Sequence, residues 1–367
     1  MSKFIVRRLL GLIPLLFAVV VVSFLLMKLA PGGPEAQFNQ NPRVTPEQIE
    51  AWLHRWCLSG QTDPVSFVKE FGGWFGVYNC DTESLFTPTG GLNILPAALG
   101  GGTNGILHGD FGFSIATGRP VLTLITERLP ATILLTTLAL VIWVTLAVIL
   151  GVIAAVKRYS LFDQSVTFFS YVFYSLPTFW LGLMLIFIFA VQLRWLPAQG
   201  IVTPRQWPPF NTDLYWAAFG KNPGGALVDI GRHLVLPVTV LVLVSIAADS
   251  RFVRASMLDV LGQDYVRTAK AKGLQRRRVI MKHAFRNAML PVVTNVALEI
   301  PFLFSGAIVT ETIFSWQGMG LLFIDGVGAR DYFLLMGILL ITSTIIVIFN
   351  LVADVLYAVV DPRIRYD

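Results

Sequence analysis

Four stretches of this chain run for 19 to 30 residues without a charged side chain: Leu9–Met27, Ala131–Val156, Gln164–Leu193 and Tyr332–Ala353. A helix needs about 20 apolar residues to cross roughly 30 Å of hydrocarbon, and inside that layer its backbone N–H and C=O groups must bond one another. A chain with several such runs is expected to fold as an all-α, polytopic membrane protein. Charge usage agrees. Only 14% of the 367 residues are charged, against about 25% in a soluble domain, and the deficit is concentrated in these runs. Lys157-Arg158 closes the second run, and Pro177 interrupts the third, where a kinked or tilted helix is expected.

Two further segments are weaker. Between His233 and Asp249 there are only 15 uncharged residues, too few unless the helix continues past Arg251 and Arg254 with their side chains reaching towards the surface. Pro291–Phe314 is interrupted by Glu299. Accepting both gives about six spans, with the N- and C-termini on the cytosolic side. The inside segments then hold 17 Lys and Arg in 68 residues, and the outside segments 11 in 162. That is a bias of about fourfold by density, as the positive-inside rule requires. The reverse orientation would put the most basic loop outside. The basic start, Lys3, Arg7 and Arg8, is shared with signal peptides. The first run exceeds their usual 7–15 apolar residues and no small-x-small site follows, so an uncleaved first span is expected. The net charge of +6 lies beside apolar runs, which favours membrane orientation over a nucleic-acid surface.

The resulting organisation is a tip and first span at 1–30 and an external, loop-rich segment at 31–130. A transmembrane core follows at 131–356, including a basic loop at 259–290, and the chain ends in a cytosolic tail at 357–367. In the external segment Thr45-Pro46-Glu47-Gln48 has the form of a capping box with proline at the first helical position, and Asp63-Pro64 offers a second helix start. Cys57 and Cys80 would both face an oxidising compartment. A disulfide between them is expected to persist there and to contribute about 3 kcal/mol by closing the loop, the alternative being two buried thiols. The histidines His54, His108, His233 and His283 show no metal-ligand spacing with one another or with cysteine, so no bound metal is expected.

The most informative stretch is Asp264-Tyr265-Val266-Arg267-Thr268-Ala269-Lys270-Ala271-Lys272-Gly273-Leu274 and the residues that follow it to Pro291. A short helix should end at Gly273, the residue type suited to a left-handed stop. A second helix should follow, carrying Arg276, Arg277, Arg278, Lys282 and Arg286, before Pro291 opens the next span. Orientation alone does not require so many basic groups in one loop. A compact knob for docking does.

This loop resembles the "EAA" coupling loop of ATP-binding-cassette importer permeases, in the oligopeptide/dipeptide/nickel branch. The resemblance rests on Asp264–Ala269, Lys272-Gly273, His283, Arg286-Asn287-Ala288 and Leu290-Pro291. Arg267 stands where the general motif has glutamate, which fits that branch. Further landmarks are Arg7–Leu10, Ala30–Pro34, Gly109-Asp110-Phe111-Gly112, Gly118–Val121, Glu127–Thr132, Glu311–Trp316, Arg330-Asp331-Tyr332 and Asp361-Pro362-Arg363. The external segment around 57–107 is longer than is usual in the family.

The resemblance implies the type I importer permease fold. It also implies a second homologous permease subunit, two cytosolic ATPase subunits that bind ATP and Mg, and an extracytoplasmic solute-binding protein, with a short peptide as the expected cargo. Arg267, Thr268, Ala269, Lys270, Ala271, Lys272, Gly273 and Leu274 would couple to the ATPase. The chain has no GxxxxGK[ST] to cradle phosphates, so it is not expected to be an enzyme or to bind a cofactor. A carboxylate at membrane depth should face protein or water, so Glu299 either lines the translocation path or is hydrogen-bonded structurally to the partner, and Pro177 either kinks a helix at a gate or has a static packing role. A stand-alone secondary transporter or channel is the alternative. It would need charged groups in several spans, where Glu299 is the clear mid-span candidate.

Overall fold

The computed structural model describes residues 2–29, 64–80, 105–299 and 307–360, together with positions 47, 54 and 85. Cys57 and the proposed helix start at Thr45 lie outside the described residues, as does the chain beyond 360. Among the described residues there is no strand; an isolated bridge pairs Phe113 with Pro120. The helices are α1 (Ser2–Leu29), α2 (Pro64–Phe75), α3 (Val121–Val156), α4 (Leu161–Ser175), α5 (Thr178–Leu185), α6 (Asp213–Lys221) and α7 (Pro223–Leu261). They are followed by α8 (Asp264–Ala271), α9 (Arg286–Glu299), α10 (Ile308–Ile313), α11 (Met319–Gly328) and α12 (Tyr332–Val360). α3, α7 and the part of α12 from Tyr332 to Leu351 are each long and apolar enough to cross a membrane. Helix α4 and the run Thr178–Gln192 pass the same test as a pair, bent by 100°.

That bend is sharper than the expected kink. Proline lacks the N–H that would continue the ladder and excludes the preceding residue from the helical region. Leu176 accordingly sits at φ −81°, ψ 131°, and Pro177 becomes the residue that opens α5. Beyond α5 the helix is π-wound from Ile186 to Gln192.

The chain divides into two compact units. One comprises Leu10–Glu127 and Leu322–Thr344. Here α2 starts at Pro64, as the Asp63-Pro64 signal predicts, and lays an aromatic stripe on α1. Phe24, fully buried, meets Phe67, Phe71 and Trp74 at centroid distances of 5.4, 5.5 and 5.3 Å. The spacing of 67, 71 and 74 puts those rings on one helical face. The landmarks Gly109–Gly112 and Gly118–Val121 pair into a tight turn, with Ser114 N–H donating to Arg119 O (2.9 Å) and Val121 N–H to Gly112 O (2.9 Å). This turn feeds directly into α3. Asp331, fully buried, caps α12 by accepting from Leu334 N–H (3.2 Å), and its other oxygen takes Ala116 N–H (3.3 Å).

The other unit holds Met1–Leu9, Arg128–Leu321 and Ile345–Asp367, and α7 is its axis. The 39-residue α7 runs through Asp249, Arg251 and Arg254 without a break, as the weaker fourth span required. Leu135, Ala139 and Trp143 of α3 pack with Ile230, Leu234 and Val238 of α7 in one core. Leu181 of α5 and Phe314 join Leu236 and Val240 in a second. Towards the far end of α7, Val253 and Met257 pack with Ala155, Ala284 and Ala288.

The two arginines are held rather than extended to the surface. The Arg251 guanidinium lies over the rings of Tyr171 (4.8 Å) and Tyr174 (5.1 Å). Arg254 donates twice to Asp163, Nε to Oδ1 at 2.6 Å and Nη2 to Oδ2 at 2.8 Å. Asp163 lies in the turn just before the third apolar run. The hydrogen bond from Arg254 holds its carboxyl below the usual carboxylate range, burial opposes this, and Tyr159 N–H adds to it.

Candidate functional site

Two sites emerge, an elbow after α7 and a cavity between α3, α7 and α9. The elbow begins where α7 stops at Leu261. Three residues later α8 starts, and its Val266 and Ala269 are buried against Val279, with Val260, Leu261 and Leu274 around them. The i, i+3 spacing makes this one narrow apolar stripe on an otherwise polar helix. Arg267, Thr268, Lys270, Ala271, Lys272 and Gly273 therefore point outward. Of the eight predicted coupling residues, only Ala269 is buried and Leu274 half-buried. Arg267 and Asp264 approach to 3.7 Å with side chains 75% and 98% exposed, a surface pair that contributes little to stability.

Helix α8 stops as its sequence predicts. Gly273 has φ +73°. Its N–H donates to Lys270 O (3.0 Å), and Leu274 N–H donates to Ala269 O (3.4 Å). These two bonds are those of the Schellman stop, and the accompanying apolar contact is the one between Leu274 and Ala269.

The chain then winds a turn at Arg276–Arg278 and a π-wound stretch at Val279–Phe285 before entering α9. The expected second basic helix thus exists, but it runs on as α9 with Pro291 inside rather than at its start. Proline there removes one backbone donor without ending the helix. Asn287 Nδ2 donates to Tyr265 Oη (3.0 Å) and Ser256 Oγ to Ala288 O (2.6 Å). The returning helix is thereby fastened to both α8 and α7, and the elbow is braced on two sides.

The cavity, of about 390 Å³, is lined by Thr136, Trp143, Tyr174, Ser245, Asp249 and Glu299, with aliphatic residues between them. Trp143 Nε1 donates to Asp249 Oδ2 (3.1 Å). Asn295 Nδ2 reaches both carboxylates, Asp249 Oδ1 at 3.5 Å and Glu299 Oε1 at 3.2 Å. Glu299 therefore faces a cavity, as a carboxylate at that depth should. Pro177 is not part of the lining, although Tyr174, three residues before it, is.

Three features escaped sequence reasoning. Asp249 marked the edge of an uncharged run, and only the unbroken α7 carries it opposite Glu299. Arg254 and Asp163 are 91 residues apart and pair only through helix packing. Glu311, fully buried, was legible only as part of a landmark. It accepts from Thr132 Oγ1 (2.8 Å) and from the N–H groups of Gly320 (2.7 Å) and Leu321 (3.1 Å). A Cβ on Gly318 would stand 2.4 Å from Thr132 Oγ1 and 2.6 Å from Glu311 Oε2, so only glycine fits beside this carboxylate. Trp316 Nε1 donates to Ala131 O (2.8 Å). The landmarks Glu127–Thr132 and Glu311–Trp316 thus interlock.

Comparison with known proteins points the same way. Residues 147–366 match the family described as binding-protein-dependent transport system inner membrane component. Over its whole length the chain is 36% identical to the oligopeptide transport system permease protein AppB of Bacillus subtilis, covering 100% of both. It is 38% identical to the dipeptide transport system permease protein DppB of Haemophilus influenzae, again over 100% of both. With the DppB of Escherichia coli K12 the identity is 35%, over 100% of this chain and 99% of that protein. With several apolar helices, a braced elbow and these full-length relatives, the chain belongs to the family of inner membrane components of binding-protein-dependent transport systems.

Proposed function

We propose that this chain is one of two permease subunits of an ATP-driven importer, and that its cargo is a short peptide delivered by an external binding protein. The relatives named for oligopeptide and dipeptide transport support the cargo class. In this reading the chain crosses the membrane six times with both termini in the cytosol, which puts the basic elbow inside. The stretch Arg267 to Leu274, six of whose eight residues face outward, docks on one of two ATPase subunits, which supply the nucleotide chemistry that this chain leaves to them. Neither cofactor nor metal is bound by the permease itself. Cys80 carries no free thiol, which supports pairing with Cys57, the other cysteine of the chain.

The observation that carries the reading is the elbow's construction. Six exposed residues ride on a short helix and its stop, held in place by two buried residues, the Schellman bonds and the Tyr265–Asn287 bond. A knob that transmits force must be rigid and must be contacted differently in two states. Motion of α8 passes to α7, from which it is separated by two residues, and along α7 to Asp249 in the cavity. There the paired carboxylates line the path and face the ammonium group of a passing peptide.

A transporter driven by an ion gradient alone is the reading this displaces, since family membership accounts for the elbow and an ion-coupled transporter has no use for it. The test is uptake of a labelled dipeptide into liposomes holding the permease pair, the ATPases and the binding protein. Uptake should require ATP and fall at least about tenfold in Arg267→Glu with Lys270→Glu. Uptake sustained by an ion gradient without ATP would overturn the reading.

A further inference from the structure

Behind the elbow is a second cavity, of about 370 Å³, that shares Lys270 and Leu274 with the coupling row and is otherwise lined by residues outside it. Its walls are Val156 at the end of α3, Leu261 at the end of α7, Leu274 and Val279, with Lys270 and Arg276 on its lining. We propose that this cavity holds the headgroup of an anionic phospholipid from the inner leaflet, its phosphate between Lys270 and Arg276 and its glycerol and upper acyl carbons against the aliphatic wall.

Three observations carry this. The first is charge. Among the described residues neither Lys270 nor Arg276 has a carboxylate within 4.0 Å, since the ion pairs there are Arg119–Glu127, His233–Asp229, Arg254–Asp163 and Arg267–Asp264. The guanidinium of Arg276 makes one long bond, Nη2 to Val156 O at 3.5 Å. Arg277, Arg278 and Lys282 follow Arg276, and Lys157 and Arg158 follow Val156, against Asp259 and Asp264 on the acidic side, so the local balance is positive. Basic pockets between membrane helices on the cytosolic side are suited to anionic lipid headgroups.

The second is depth. Val156 is the last residue of a 26-residue uncharged run and Lys157-Arg158 follow at once, so the cavity lies at the level where hydrocarbon gives way to headgroups. An acidic side chain of an ATPase subunit would approach the exposed row of α8 from the aqueous side and would need no aliphatic wall. The third is shape. A volume of this size, mostly apolar with a few charged groups, is that of a small-molecule site. A bound lipid would bridge α3, α7, α8 and the turn at Arg276, the elements that must move together for coupling.

The experiment uses the intact complex of permease pair and ATPases in nanodiscs, either of phosphatidylethanolamine alone or with phosphatidylglycerol added. Lipid retained after extraction is counted by native mass spectrometry. The wild type should retain phosphatidylglycerol. Arg276→Gln and Lys270→Gln should each weaken retention about fivefold, the equivalent of ~1 kcal/mol per basic residue near an anionic surface. Arg276→Lys should restore most of it, and Arg277→Gln, outside the lining, should change nothing. Co-purification of the ATPases with the Arg276 variants, which lie outside the coupling row, reports assembly, so a folding defect is seen directly, and Arg276→Lys remains informative if Arg276→Gln does not assemble. Equal retention by wild type and Arg276→Gln would overturn the proposal. So would occupancy by inorganic phosphate with no lipid retained. Loss of ATPase co-purification in Arg276→Gln, with phosphatidylglycerol retention unchanged, would show the cavity to receive a protein carboxylate instead. Dipeptide uptake is a separate readout, so failure here would leave the transport reading standing.

Discussion

Gly273 and Asp163 show how single residues set the mechanics. A Cβ on Gly273 would meet nothing within 4 Å, so substitution there is limited by the backbone at φ +73° and not by space. Left-handed backbone costs an L-residue about 1–2 kcal/mol, and asparagine tolerates it best. Gly273→Asn should therefore keep uptake and stimulated ATP hydrolysis near wild type. Gly273→Val should loosen the elbow and uncouple the two, with hydrolysis continuing and uptake falling. Both activities normal in Gly273→Val would refute the assignment.

At Asp163 the sign follows from a carboxyl held below its ordinary range. Its contribution to stability is present above the ordinary aspartate pKa of about 4 and is lost as pH falls through the lower folded-state value. Thermal unfolding of the solubilised protein should show that loss on acidification, and Asp163→Asn should flatten it. Arg254→Ala, which strands a largely buried carboxylate, should cost about 3 kcal/mol.

At the scale of the element, the third apolar run is the informative case. Thirty uncharged residues suffice for one helix of about 45 Å, yet Pro177 divides them into two arms at 100°. Both arms keep apolar side chains outward, including Phe168 (63% exposed) and Phe187 (49%), and Tyr174 at the corner reaches the cavity. Pro177→Ala restores a backbone donor and frees Leu176 to become helical. Spin labels at 168 and 187 should then move apart towards the ~28 Å of a straight helix, with a loss of dipeptide uptake. An unchanged separation would mean that packing on α7, and not the proline, sets the bend. Helix α7 teaches the opposite lesson. An apolar run too short to span becomes part of a 39-residue helix because Asp249, Arg251 and Arg254 each find partners in helices packed beside it.

For the whole molecule, orientation is the decisive property. In a background with Cys57 and Cys80 replaced by serine, Leu214→Cys on α6, at a position 71% exposed, should react with an impermeant maleimide in intact cells. Arg277→Cys in the elbow should react only after the membrane is opened. Labelling of position 277 from outside would remove the ATPase contact and with it the importing mechanism.

What the sequence determined by itself was local and periodic. Runs of uncharged residues dictate membrane helices, because an unpaired backbone group cannot be left in hydrocarbon. The spacing of Val266, Ala269, Gly273 and Leu274 dictates a capped amphipathic helix, because each of those interactions spans five residues or fewer. The family landmarks were legible for the same reason. The tertiary structure alone decided which distant residues meet: Asp249 with Glu299, Arg254 with Asp163, Glu311 with Thr132, and Arg276 with Val156 beside an apolar cavity. Such pairings depend on the angle and rotation at which long helices pack. A periodic pattern marks which face of a helix is apolar, but a nearly all-apolar helix such as α3 presents no single face to read, and its neighbours are settled by the fit of side chains that only the folded chain brings together.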